Sequence, residues 1–240
     1  MKFSISIVSH NSGALVAPLL EDLKLHLPAQ SEIILTLNCP EDEGFLEQAS
    51  DLPITVLRNV RPLGFGANHN QAFAVSRGEK FVVVNPDIRL SAPPWGALAA
   101  ELTMGVGACA PMVLSPAGAP EDSVRRYPTI SRLFRRAVMK RRSPDYVGAG
   151  LYPSPLAVDW AAGMFVMFNA DAYRAVHGFD TRYFMYLEDV DICKRLNAAG
   201  QRVLWVPGCA VTHNAQRASQ RSWQHRRWHL RSVWRFLSNS

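Results

Sequence analysis

KFVVVNPD, residues 80–87, joins an unbroken apolar run, Phe81 to Val84, to an Asn-Pro-Asp turn. A continuous apolar run bounded by turn residues suits a strand covered on both faces, as in a parallel sheet. The stretches before it agree. FSISIVS (3–9), EIILTL (32–37) and ITVLRN (54–59) read as strands, while GALVAPLLEDLKLHL (13–27), with Ser12 near its start, and NQAFAVSRG (70–78), closed by Gly78, read as helices. This alternation predicts βαβ units and an α/β fold with a parallel sheet. In open α/β sheets ligands bind beyond the carboxyl ends of the strands. His10 and Asn11, Asn38, Asn59 to Gly66, and Asn85 to Asp87 all fall at such ends.

The 240 residues suffice for one sizeable core, and we expect a single domain over 1–240. At 48% hydrophobic and 19% charged the chain reads as globular. No export core follows Met1 and Lys2. The most apolar later stretch, LAVDWAAGMFVMF (156–168), contains Asp159 and falls short of the roughly 20 residues a spanning helix needs. A soluble, cytoplasmic protein is the expectation. Cys39, Cys109, Cys193 and Cys209 show no paired spacing that would signal zinc or a disulfide framework. The net charge of +6 is segregated: no acidic residue occurs from Ile192 to Ser240, and a second basic cluster runs from Arg125 to Arg142. Such segregation implies an anionic partner, whether nucleic acid, a phosphate-bearing substrate or a membrane surface. The Pro-, Gly- and Arg-rich segment 111–155 reads as an excursion from the sheet.

Three places carry chemistry. In NVRPLGFGANHN (59–70) Gly64 and Gly66 permit close backbone approach, to a ligand or simply within a turn. In the NPD turn, Asp87 either meets a hard cation through oxygen or caps a helix; His213, after the strand RVLWV and a Pro-Gly turn, gains weight as a ligand when paired with it. In FMYLEDVDICKRL (184–196), Glu188, Asp189 and Asp191 crowd three carboxylates into the start of a helix that Gly200 ends. Capping and catalysis both account for them, since carboxylates favour a helix's first turn and a carboxylate in reach of a hydroxyl is a general base.

SIVSHNS (6–12), NVRPLGFGANHNQAF (59–73), VVVNPDIRL (82–90), DWAAGMFVMFNADAYRAVHGFD (159–180) and FMYLEDVDICKRLNAAGQRVLWVPGCAVTH (184–213), in this order, resemble the family 2 glycosyltransferases, in particular their bacterial rhamnosyltransferase-like branch. The resemblance implies a GT-A fold, an α/β architecture with a central, mostly parallel twisted sheet flanked by helices. It divides the chain into a nucleotide-sugar half (1–110), an acceptor and catalytic half (111–215) and a basic aromatic C-terminal helix (216–240). It implies that Asp189 is the catalytic base with Glu188 beside it. Asp87 and His213 would bind Mg²⁺ or Mn²⁺, with Asn85 in the place of the first aspartate of an Asp-x-Asp element. Donor contacts would come from His10, Asn11, Asn38, Asn59, Gly64, Phe65, Gly66, Asn70, Asn85 and Asp87, and acceptor contacts from Trp160, Gly163 and Asp191. Asp191 is also open to a helix-capping role.

The implied activity is inverting, metal-dependent transfer of a sugar such as L-rhamnose from a dTDP- or UDP-sugar to a lipid-linked saccharide in surface-polysaccharide synthesis. A non-catalytic nucleotide- or saccharide-binding relative is the alternative. One departure stands out: in LTLNCPED, Leu37 occupies the place of the aspartate that contacts the nucleotide, Asn38 is kept, and Asp42 is the nearest substitute. The tail RSWQHRRWHLRSVWRFL (221–237) interleaves arginines with Trp223, Leu230, Trp234 and Leu237 at near-helical spacing. It reads as a core-capping helix, a nucleic-acid arm or an interfacial membrane helix; the resemblance favours peripheral contact with the cytoplasmic face of the inner membrane and no nucleic acid.

Overall fold

The computed structural model describes residues 2–128, 154–214 and 223–238, the side chains of 224 and 226 excepted. The basic cluster reaching Arg142 lies outside the described residues beyond Pro128, as do Arg217 and Arg221. The strands are β1 (Phe3–Ser9), β2 (Ser31–Leu37), β3 (Ile54–Arg58), β4 (Lys80–Val84), β5 (Ile88–Arg89), β6 (Val106–Leu114), β7 (Val124–Arg125), β8 (Leu156–Val158), β9 (Trp160–Ala161), β10 (Phe165–Asn169) and β11 (Arg202–His213). The helices are α1 (Gly13–His26), α2 (Phe65–Val75), α3 (Trp95–Glu101), α4 (Ala170–Ala175), α5 (Glu188–Ala198) and α6 (Trp223–Ser238), with a 3₁₀ turn at Gly44–Ala49.

The main sheet runs β3-β2-β1-β4-β10-β6-β11-β5, with β8 on β11. The alternation of strand and helix patterns predicts its first four strands, which are parallel. Beyond them the sheet is mixed, because β10 runs antiparallel to both β4 and β6 while β6 and β11 are parallel. The two faces carry separate cores. Val82 and Val84 join α1 and α3 on one face; Phe81 and Val83 join α2, α4 and α5 on the other. This is why β4 is apolar at consecutive positions instead of alternating.

Three boundaries differ from the sequence reading. The second helix begins at Phe65 and ends at Val75, earlier at both ends than 70–78. Its glycine-rich start looks like a loop, yet those glycines are demanded by contacts with a distant segment. β6 opens the 111–155 segment inside the sheet, so the excursion starts only after Leu114. The RVLWV strand does not stop at Pro207-Gly208; a register shift between Val206 and Ala210 absorbs the Pro-Gly pair and the strand continues to His213.

Candidate active site

Asp87 and His213 lie far apart in the chain and meet because the short strand β5 pairs antiparallel with the end of β11, setting Ile88 opposite His213. The Asn214 amide then donates to the Asp87 carbonyl at 2.8 Å. His213 Nε2 lies 3.1 Å from Asp87 Oδ2, and His213 Nδ1 lies 2.8 Å from Glu121 Oε2. Burial alone would lower the His213 pKa, but its bonds to the two carboxylates prevail and raise it to about 9. Asp87 Oδ1 is buried and has no hydrogen-bond partner among the described residues. A buried carboxylate oxygen left open fits a hard divalent cation, which would have to displace the proton on His213 Nε2 to reach the ring nitrogen. Among the described residues no group of three or more His, Cys, Asp or Glu side chains is arranged to hold an ion unaided. Asp87 and His213 could hold such an ion only if a ligand's oxygens and water filled its further positions, the usual habit of magnesium-type sites with phosphates.

Glu188 and Asp189 open α5. The two residues before them, Tyr186 (φ +73°) and Leu187 (φ +67°), are both left-handed, a conformation that side chains of this size rarely adopt. Such strain, on the order of 1–3 kcal/mol per residue, persists only where surrounding contacts enforce it. Those contacts are present: the Phe184 carbonyl accepts from the Phe65 amide at 3.0 Å, the Met185 carbonyl from Ser232 Oγ at 2.9 Å, and Tyr186 OH meets His225 Nδ1 at 2.7 Å. Glu188 is only 5% exposed and its Oε2 has no hydrogen-bond partner among the described residues. Burial, with the Asp189 charge beside it, holds its carboxyl well above the usual range. Asp189 is half-buried; burial raises its pKa too, opposed by the Gly163 amide on Oδ2 at 3.2 Å and the Val190 amide on Oδ1 at 2.9 Å. The two amide donors on Asp189, against an open Oε2 on Glu188, favour the charge on Asp189 over Glu188.

The two clusters adjoin. The Asn85 amide donates to the Met164 carbonyl at 2.9 Å, and neighbouring Gly163 donates to Asp189. One loop thus touches both the NPD turn and the candidate base. A Cβ on Gly163 would sit 2.9 Å from Phe65 Cζ, so only glycine passes there.

The other expected donor residues surround this loop in two ways. His10 and Asn11 stand exposed after β1, where Glu41, which sequence reasoning passed over, accepts from Ser9 Oγ at 2.8 Å and from the Asn11 and Gly13 amides at 3.3 and 3.1 Å. Asn11 is left-handed at φ +53°. The side chains of Asn38, Asn59 and Asn70 are spent on the protein itself. Asn38 Oδ1 accepts from the Leu63 amide at 2.8 Å and from Asn59 Nδ2 at 3.0 Å, and Asn59 also donates to Asn68 at 2.7 Å, which fixes loop 59–64. Asn70 accepts from Tyr173 OH and the Phe179 amide at 2.6 and 2.9 Å and donates to the Phe179 carbonyl at 2.8 Å. A Cβ on Gly64 would fall 2.5 Å from the Phe184 carbonyl, and one on Gly66 would fall 2.5 Å from Phe179 Cβ. Of the two readings left open for these glycines, close packing is the one the contacts require.

Leu37 is buried in the core, and Asp42 Oδ1 is taken by the Gly44 amide at 2.9 Å. On the acceptor side, Trp160 is buried, donates Nε1 to the Arg126 carbonyl at 3.0 Å and carries the Arg125 guanidinium 5.3 Å from its ring centre. Asp191 does not cap α5: Leu187 holds the cap position without a side-chain bond, and Asp191 pairs with Arg195 one turn on at 2.7 Å.

Comparison with known proteins places this geometry. The sequence model of glycosyl transferase family 2 matches residues 4–147. The chain is 30% identical to N-acetylglucosaminyl-diphospho-decaprenol L-rhamnosyltransferase of Mycobacterium tuberculosis, over 97% of this chain and 82% of that protein. It is 37% identical to rhamnosyltransferase WbbL of Escherichia coli, over 48% of this chain and 44% of that one. Solved structures share the fold. The Pyrobaculum calidifontis mannosyltransferase PcManGT, in complex with GDP-Man and Mn²⁺, superposes with a TM-score of 0.67 at 16% identity over 99% of this chain and 64% of its own. GalNAc-T7 with UDP, GalNAc and Mn²⁺ gives 0.68 at 14% identity over 90% of this chain and 44% of its own. The chain belongs to glycosyl transferase family 2, has the GT-A fold, and is a glycosyltransferase akin to the bacterial rhamnosyltransferases.

Proposed function

We propose that this protein is an inverting, divalent-metal-dependent glycosyltransferase. It moves L-rhamnose from a dTDP-linked donor to a saccharide carried on a lipid diphosphate, in cell-surface polysaccharide assembly at the cytoplasmic face of the membrane. The observation that carries the reading is the loop Gly163–Met164, which bonds Asp189 on one side and the NPD turn on the other. This supports a leaving-group end and a base end on the two sides of one loop. The donor and acceptor classes rest on the mycobacterial and Escherichia coli relatives, whose names carry rhamnosyl transfer and, for the first, a lipid diphosphate.

In this reading Asp189 takes the acceptor hydroxyl proton as that oxygen attacks the anomeric carbon. The new carbon–oxygen bond forms as the bond to the donor diphosphate breaks, with its electron pair leaving on phosphate, and a single displacement inverts the sugar carbon. Asp87 and His213 would hold a divalent cation, which would supply positive charge to the departing diphosphate. Burial of Glu188 favours its neutral form, which spares the site a second negative charge beside Asp189. Purified protein is to be screened by thermal shift with dTDP-, UDP- and GDP-sugars, with and without Mn²⁺, and the stabilising donor then offered to saccharide acceptors. Stabilisation by dTDP-rhamnose with Mn²⁺, followed by transfer, is the predicted result. No stabilisation and no turnover with any nucleotide sugar defeats the reading.

A further inference from the structure

α6 turns one face into the fold. His225, Trp228, Ser232 and Phe236, spaced three and four residues apart, turn inward: Ser232 and Phe236 are buried, Trp228 stacks 4.8 Å from Phe184, and His225 bonds Tyr186. The opposite stripe should then be polar. Instead Trp223, Leu230 and Trp234 stand 84%, 71% and 74% exposed, at i, i+7 and i+11, with exposed Arg227 and Arg231 between them. Neither of these arginines takes part in an ion pair among the described residues. Beside the stripe a groove of about 440 Å³ runs between Phe184, Trp228 and Trp234, rimmed by Arg182, Arg231 and Arg235.

Exposed tryptophans and leucine among arginines, on a helix of 16 residues, about 24 Å long, describe an element that lies in a bilayer interface. Charge chooses the occupant: no acidic residue occurs from Ile192 to Ser240, so the stripe complements anionic lipid phosphates and repels a second copy of itself. No helix among the described residues is long and apolar enough to cross a membrane. We propose that the outer face of α6, with the Phe184 groove, docks the protein onto a bilayer bearing anionic lipids, Trp223, Leu230 and Trp234 entering the interface and Arg227, Arg231 and Arg235 pairing with headgroup phosphates. The consequence for catalysis rests on the proposed function. Phe184 lies four residues before Glu188 and anchors loop 184–187 to α2, so docking brings the carboxylate pair to the depth of a lipid-borne acceptor's head.

The full chain is to be sedimented with vesicles of phosphatidylcholine, alone and mixed with phosphatidylglycerol. The wild type is expected to bind the mixed vesicles, with a blue shift of tryptophan emission, and to leave as salt rises. Trp223→Ser/Leu230→Ser/Trp234→Ser should weaken partitioning by on the order of a hundredfold, and each of Arg227→Gln and Arg231→Gln by about fivefold. Circular dichroism and transfer to a water-soluble acceptor should be unchanged in the triple variant. Failure of the wild type to bind the mixed vesicles, or undiminished binding by the triple variant, overturns the proposal. So does light scattering that shows a dimer lost in the triple variant without vesicle binding, or tight binding to unrelated duplexes instead of vesicles. Vesicle binding with no sugar transfer to any acceptor would count against the proposed function and leave the docking surface standing.

Discussion

Replacing Asp189 by Asn tests the assignment of the base. The carboxylate now accepts two amides, Gly163 on Oδ2 and Val190 on Oδ1. A carboxamide keeps one of these bonds and turns its NH₂ towards the other donor, a loss of about 1 kcal/mol. Against that, the desolvation of a half-buried charge at position 189 is no longer required, so the net change in stability should stay within about 1 kcal/mol. What vanishes is proton acceptance, which general-base catalysis values at about 10²- to 10⁴-fold, or about 3–5 kcal/mol of barrier. The assay is rapid-quench single turnover with saturating donor and acceptor, alongside donor affinity by calorimetry and melting temperature. The account expects kcat to fall by about 10²- to 10⁴-fold, with donor affinity and melting temperature near wild type. A fall below tenfold, or one matched by equal loss of donor affinity, would refute the role given to Asp189.

Activity should fall as pH falls, because Asp189 must be ionised. Burial raises its pKa, so the acidic limb of kcat should lie above the usual carboxylate value near 4; a profile flat down to that value contradicts the pairing. Asn70→Ala removes three bonds to Tyr173 and Phe179 and should cost about 3 kcal/mol, lowering the melting temperature by about 6–12 °C, while the donor KM of the folded fraction stays unchanged. A donor-binding defect without destabilisation would show instead that Asn70 contacts ligand. Asp22 receives Arg89 Nε and Nη2 at 2.7 and 2.8 Å and the Leu90 amide at 2.8 Å, and these bonds outweigh burial to hold its pKa below the ordinary value. Its stabilisation, about 2 kcal/mol because Arg89 is half-exposed, is present above the unfolded pKa and is lost as pH falls through the lower folded one. Asp22→Ala should show that loss in chemical denaturation at neutral pH and none below the folded pKa.

The four parallel strands were legible because each is a short run rich in β-branched and apolar residues between turn signals, and Phe81–Val84 announced burial on both faces. The antiparallel β10 was not, since direction leaves no mark on FVMFN. Asp87 and His213 could be named as a pair through the family resemblance, but nothing local shows what joins them: β5 has two residues and exists only because β11 lies beside it. Glu121, the second partner of His213, carried no signal for the same reason. Gly64 and Gly66 read as a loop because their restraint comes from Phe184 and Phe179, more than a hundred positions away. The left-handed Tyr186 and Leu187 run against residue preference and follow from contacts with α2 and α6.

A crystal structure of the protein with a dTDP-sugar and Mn²⁺ examines the central claim most directly. The account predicts an anomalous manganese peak between Asp87 and His213, shared with diphosphate oxygens, and the anomeric carbon facing Asp189 across Gly163. Manganese absent from that pair, or a donor bound with its sugar directed away from Asp189, would contradict it.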